Sequence, residues 1–435
     1  MNPISEKENL NREIGVRSLS LAIINITIGT GIFVIPALIA ESLGAAAILA
    51  YLVCGFLIFL IALCFAEVGS KTSVSGGLYE YIESAFGPYA GFMSSNLYWL
   101  GASVISDGAV ANALVDTLKS FFPLLTNEIY RVLFFILIFG GLALLNIRNV
   151  KNGVRFVEFT AFGKLLPLVL LVLVGSYFVS PQNLNWTIEP TVSSIGSASL
   201  LLFFAFMGLE TPLCNGGEIK NPKKTVPLGL FFGISGVLIL YIGIQVVTQG
   251  VLGETIAEHK DAPLAAVSAI VFGKIGVTLI VITTAISMLG CLGGELLSVP
   301  RVLFASARDG LFPKFLAQIH PRFLTPHTAI LFYASFGLLF SIFGGFKQLA
   351  ILASASSLIN YLAVMLATLK LRKNDTSTSE NSFRVPGGIL VPILAAIAIV
   401  WLLSNLTKEE LISFIVFISI FSILFLFLKK LKKIS

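Results

Sequence analysis

Twelve apolar runs divide this chain, and together they leave almost nothing else to fold. They cover roughly 18–40, 46–68, 89–117, 131–147, 157–179, 195–216, 228–249, 272–304, 328–344, 349–370, 387–405 and 411–428. Most are long enough, at about 1.5 Å per helical residue, to cross a bilayer. The longest polar stretches between them are Glu67–Pro88, Ser180–Ser193, Glu254–Pro263 and Lys370–Pro386. None is large enough to bury an independent core. With 56% hydrophobic and 12% charged residues and a mean hydropathy of +0.93, the expected class is an all-α polytopic membrane protein with twelve transmembrane helices. Within the first polar stretch, Ser75–Tyr81 and Ala85–Pro88 predict a short amphipathic helix, whereas Asp375–Ser382 reads as a Ser/Thr/Asn linker. The first 17 residues are polar and mixed in charge, so no cleaved signal peptide is visible.

The net charge of +6 is topological. With the N-terminus placed inside and sides alternating, twenty-two of the 29 lysines and arginines fall on the cytoplasmic side and six outside, with Lys164 left within a run. That bias predicts cytoplasmic N- and C-termini in the cell membrane. It removes the need for a nucleic-acid partner, and the Lys429–Lys433 tail suits anionic membrane lipid. Cys54, Cys64, Cys214 and Cys291 lie in or beside apolar runs without a CxxC pair, and the three histidines are scattered. No metal site and no cofactor is expected from them.

Two runs carry breaks. The first contains Gly29-Thr30-Gly31, and glycines at i and i+2 weaken a continuous helix. In a membrane the freed N–H groups need a partner, so such a break persists where it is buried or lines a polar cavity. The half-helix beyond it would turn N–H groups and a positive dipole end toward an anion; close helix packing at the glycines is the plainer alternative. The sixth run carries Gly208 and Pro212, followed by Gly216-Gly217. Interrupted helices at corresponding positions of two halves point to a solute site at the midplane between inverted repeats.

Three stretches resemble the amino acid–polyamine–organocation family of transporters. They are Ile28–Phe33; Phe204–Glu210 with the following Gly217–Pro227; and Ala307–Pro313. The resemblance implies the LeuT-like fold: a 5+5 inverted repeat plus two extra helices, with residues 1–435 as one transporter domain. Its parts would be a cytoplasmic segment 1–17, repeats 18–179 and 195–370, helices 11 and 12 over 387–428, and a tail 429–435. It further implies a substrate α-carboxylate on the backbone around Gly29, Thr30 and Gly31. The α-ammonium would meet carbonyls at Thr27, Phe204 and Met207, and the Phe204 ring would stand where the family carries an aromatic gate. On this reading, enlarging Gly31 should abolish transport and leave folding intact.

Four charged residues lie inside runs and away from their ends: Asp107, Lys164, Glu210 and Glu295. Each would cost about 3 kcal/mol at a helix centre, so each needs a partner or a water-lined position. By resemblance Lys164 occupies the region that holds sodium in coupled relatives of the wider fold, which implies a sodium-independent carrier. It is either a permanently charged strut from run 5 to run 1 or a proton carrier. Glu210 either organises the break in run 6 by accepting backbone N–H bonds or senses protons. Glu295 falls where the arginine/agmatine antiporter of the family carries a tryptophan facing the substrate side chain, and the register of Tyr98-Trp99-Leu100 brings Ser106 and its neighbour Asp107 to the same pocket. A carboxylate there favours a cationic side chain. Pairing of Glu295 or Asp107 with Lys164, or a protonated Glu295 bonding a neutral substrate, are the alternatives.

The expected function is secondary active amino-acid transport by alternating access, through proton symport or exchange, with a preference for cationic amino acids. A polyamine or organic-cation carrier ranks behind it, because the carboxylate seat would then have no occupant. An enzyme would need a catalytic constellation such as HExxH or GxSxG, and the sequence has none. A nutrient-sensing receptor would need a signalling domain, and the sequence given ends at Ser435. No cysteine lies in Lys119–Arg131, so an accessory chain linked by a disulfide there is not expected.

Overall fold

The computed structural model describes residues 14–71, 78–119, 121–148, 150–213, 219–308, 312–374 and 383–432. Residues 1–13, the linker 375–382, Cys214, the Gly216-Gly217 pair and Asp309-Gly310-Leu311 of the third motif lie outside them. Fifteen α-helices follow one another among the described residues, where the single β-type pairing is a bridge between Ile14 and Ile219.

The first apolar run forms two helices, α1 (Val16–Thr27) and α2 (Gly31–Leu43), parted at the glycine pair. Then come α3 (Ile48–Lys71), the short amphipathic α4 (Leu78–Phe86), and α5 (Pro88–Asn96), whose proline suits a first helical position that needs no N–H. The third run continues through a π-helical stretch, Leu97–Val104, into α6 (Ile105–Leu118). Helices α7 (Glu128–Arg148) and α8 (Val150–Gly175) complete the first half.

In the second half α9 (Val192–Leu202) starts on a capping box, Thr191 with Ser194, and breaks after the 3₁₀ turn Phe203–Phe206. It is followed by α10 (Pro222–Leu252), α11 (Pro263–Arg308, kinked at Gly273, φ +66°), α12 (His327–Phe343) and α13 (Phe346–Asn374). The last two helices are α14 (Leu390–Leu403) and α15 (Lys408–Lys432). Every one of the twelve apolar runs is thus helical or a broken helix. Among the described residues, six helical stretches are individually long and apolar enough to cross a membrane, and five shorter apolar helices accompany them.

The packing places the two broken helices at the centre. α1 and α3 both lie against α10, and α9 packs on α2 and α3. Around that group, α8 runs along α11, while α6 touches α11, α12 and α13. Large apolar side chains on the outer faces, such as Leu137, Ile275, Phe343 and Leu426, are exposed. Helices apolar on every side, with buried polar residues inside and bare aliphatic ones outside, are built for a lipid surround.

Candidate functional site

The two breaks interlock. After α1 the chain tightens, with the Gly29 N–H donating to the Thr27 carbonyl (2.8 Å) and the Phe33 N–H donating back to Thr30 (3.0 Å) as α2 begins. Gly31 lies so close to the other broken helix that an added Cβ would sit 2.6 Å from Ala205 Cβ and 2.7 Å from Ala205 Cα. Reciprocally, Gly208 takes φ +101°, which side-chain-bearing residues avoid, and an added Cβ there would meet Ile26 Cγ2 at 2.8 Å. Gly31 admits the backbone of the other break, and Gly208 admits the Ile26 side chain. Gly31 is therefore a packing contact between the two breaks, and the expectation that it could be enlarged without harm to folding is corrected.

Between the breaks, the third run and α11 lies a cavity of about 190 Å³. Its wall contains every residue singled out from the sequence: Thr27, Gly29, Thr30, Gly31, Ser106, Asp107, Lys164, Phe204, Met207, Glu210 and Glu295. The start of α2 opens on this space, so its first amides have no partner within the helix. The Thr30 hydroxyl is buried without a hydrogen-bond partner. That combination accepts a carboxylate. The Thr27 carbonyl, in contrast, already receives the Gly29 N–H and the Tyr241 hydroxyl (2.8 Å). Tyr241 has a single hydroxyl proton for the Thr27 and Ala205 carbonyls, so it does not saturate the Thr27 oxygen, and Thr27, Phe204 and Met207 line the same cavity. The Phe204 ring meets Phe346 of α13 edge-on, with centroids 5.7 Å apart.

The charged residues divide into two kinds. Lys164 and Glu210 are occupied. The Lys164 ammonium donates to the Asn25 carbonyl of α1 (2.5 Å), which is the geometry of a strut from α8. Glu210 accepts the Tyr361 hydroxyl and the backbone N–H groups of Gly208 and of itself, holding the break in shape. Asp107 and Glu295 each keep one oxygen unused. Asp107 Oδ2 accepts the Tyr333 hydroxyl (2.9 Å) while Oδ1 is buried and unpartnered. The Ser103 side chain bonds the Glu295 carboxylate, whose Oε2 is unpartnered. Neither acid pairs with Lys164. An unpartnered buried polar atom costs about 1–3 kcal/mol, and more for a charged group, so both carboxylates are incompletely satisfied by the residues around them.

A family model described as amino acid permease matches residues 14–428. The chain belongs to the amino acid permease family. Its curated relatives include the branched-chain amino acid permease BcaP of Bacillus subtilis, 27% identical over 99% of this chain and 96% of that protein. The serine/threonine exchanger SteT of the same organism is 29% identical over 90% of each chain. The putrescine transporter PotE of Haemophilus influenzae is 28% identical over 73% of this chain and 72% of its own. The permease is accordingly a multi-pass membrane transporter of the amino acid–polyamine–organocation group, and not an enzyme.

Several residues of the permease site escape sequence reading. Cys291 reads as a buried hydrophobe, yet its thiol faces the Thr30 amide, and a Cβ on Gly29 would come within 3.0 Å of it. Tyr98, Ala102 and Ser103 reach the cavity through the π-helical stretch, which has no sequence signature beyond Gly101. Tyr241 is the clearest omission. Fully buried on α10, it places its hydroxyl 2.8 Å from both the Thr27 and the Ala205 carbonyl, one on each break. Nothing in its surroundings, Ile-Leu-Tyr-Ile-Gly, marks it. Tyr241→Phe keeps the ring and removes the hydroxyl that lies between the two breaks; we expect maximal uptake to fall about tenfold with the folded yield retained, as read by initial rates beside size-exclusion profiles.

Proposed function

We propose that the permease is a sodium-independent secondary active transporter that carries amino acids by alternating access and prefers those with a cationic side chain. The observation that carries this reading is the cavity itself: the buried, unpartnered Thr30 hydroxyl at the start of α2 on one wall, and the unpartnered carboxylate oxygens of Glu295 and Asp107 on another. A zwitterion with a distal positive charge satisfies both. The Lys164 strut on the Asn25 carbonyl supports sodium independence, because a fixed ammonium supplies there the positive charge that a bound cation would otherwise bring.

In the same reading, the chain crosses the membrane twelve times as a LeuT-like 5+5 inverted repeat, 18–179 and 195–370, with two further helices over 387–428 and both termini in the cytoplasm. Coupling runs through protons or exchange, with Lys164, Glu210 and Asp107 as the groups able to take part. Import of one positive charge would gain about 2.3 kcal/mol per 100 mV of inside-negative potential. The second reading is a polyamine or other organic-cation carrier, favoured by the same two carboxylates and by the likeness to a putrescine transporter. It leaves the Thr30 hydroxyl without a role. A receptor that binds amino acids without moving them is separated from both by flux.

The test is uptake of a labelled panel into proteoliposomes: lysine, arginine, ornithine, leucine, serine and putrescine. Replacing sodium by choline should leave the rates within about twofold, and imposing an inward proton gradient or loading with internal amino acid should raise them severalfold. Saturable binding without flux would support the receptor. Putrescine outcompeting every amino acid would support the second reading.

A further inference from the structure

The cavity-facing stripe of α11 is Gly290, Cys291, Gly294, Glu295, Leu297 and Ser298, whose steps of three and four trace one helical face. The next residue on that stripe is Arg301. It is half-buried, and its Nη1 nitrogen is buried with no hydrogen-bond partner. Among the described residues no carboxylate lies within ion-pair distance of it. Guanidinium is a fork of donors suited to two carboxylate oxygens, and a buried one without an anion is an incomplete interaction.

Its position separates it from the central seat. Cys291 is level with the Thr30 amide, and Arg301 lies ten residues farther along α11, about 15 Å by helical rise. One small carboxylate cannot touch both. We propose that Arg301 is a second carboxylate station, which receives the α-carboxylate of the substrate as it moves between the Thr30 seat and the membrane face at the Arg308 end of α11. The inference rests on the amino-acid-transport reading. It adds a binding site on the pathway, one that takes a free carboxylate and not the side chain, so it serves substrates of any side-chain charge.

Transport is measured from each membrane face separately in oriented proteoliposomes, with leucine and lysine as probes, for wild type, Arg301→Gln and Arg301→Lys. Arg301→Gln should raise KM about tenfold for both probes from the face at the Arg308 end. KM from the opposite face, and equilibrium affinity in detergent, should stay within about twofold. Arg301→Lys should recover part of the loss; it keeps the test open if the glutamine variant does not fold. Equal changes on both faces, no change, or an effect that vanishes when anionic lipid is left out of the vesicles would overturn the station, the last by naming a lipid headgroup as the occupant. Absence of amino-acid uptake in the wild type would instead overturn the transport reading beneath it.

Discussion

Glu295→Gln should abolish discrimination in favour of lysine, arginine and ornithine, lowering their kcat/KM by about 30-fold to several thousand-fold while leaving leucine and serine within about threefold. The magnitude follows from the cost of removing one partner of a buried charge pair, about 2–5 kcal/mol. The direction follows from the site. Glu295 has Ser103 on its carboxylate and Oε2 open, so glutamine keeps the shape and loses the charge. Competition uptake with the panel in wild-type and variant proteoliposomes reads the change. Uniform loss for all substrates would return Glu295 to a structural role, and an unaltered panel would make the cationic preference wrong. Asp107→Asn is the natural companion, since Oδ1 faces the same space behind the Tyr333 bond.

The second large effect concerns the interlocked breaks. Gly31→Leu should yield little folded protein, because a side chain at that position runs into the Ala205 backbone rather than a movable tip. Gly208→Ala should fail similarly: φ +101° costs any residue with a Cβ about 1–3 kcal/mol, and the Ile26 contact adds to it. Fluorescence-detected size exclusion of both variants checks this, with wild-type-like monodisperse peaks as the contrary result. The carboxylate seat is better probed by Thr30→Val, which removes an unpartnered hydroxyl and fills the same volume. It should raise KM for every amino acid by about five- to tenfold with full yield, and it should leave a diamine without a carboxylate unaffected.

The apolar runs, the two breaks and the intramembrane charges were legible because a membrane gives each a single strong reason: length, an unsatisfied backbone, an unneutralised charge. All eleven site residues drawn from those features line one cavity. What the sequence hid is pairing. Whether Lys164 meets an acid or a carbonyl depends on how α8 lies on α1, and the Asn25 carbonyl is as anonymous in sequence as any other peptide oxygen. Thr27 illustrates the same point: the hydroxyl beside its carbonyl comes from Tyr241, more than two hundred residues away. Cys291 and Arg301 look like a buried thiol and a helix-end charge until the face of α11 is known.

The π-helical stretch Leu97–Val104 has a consequence for how such a site can change. Its wide turn takes in a residue that an α-helix would not need, and residues within it, Tyr98, Ala102 and Ser103, and beyond it, Ser106 and Asp107, reach the cavity. Removing that extra residue would restore a plain α-helix with Ser106 and Asp107 still on their faces, and would change the wide turn that brings Tyr98, Ala102 and Ser103 to the cavity. The stretch is therefore a local adapter: one codon gained or lost there re-aims its own part of the pocket wall, while the helix on either side keeps its register.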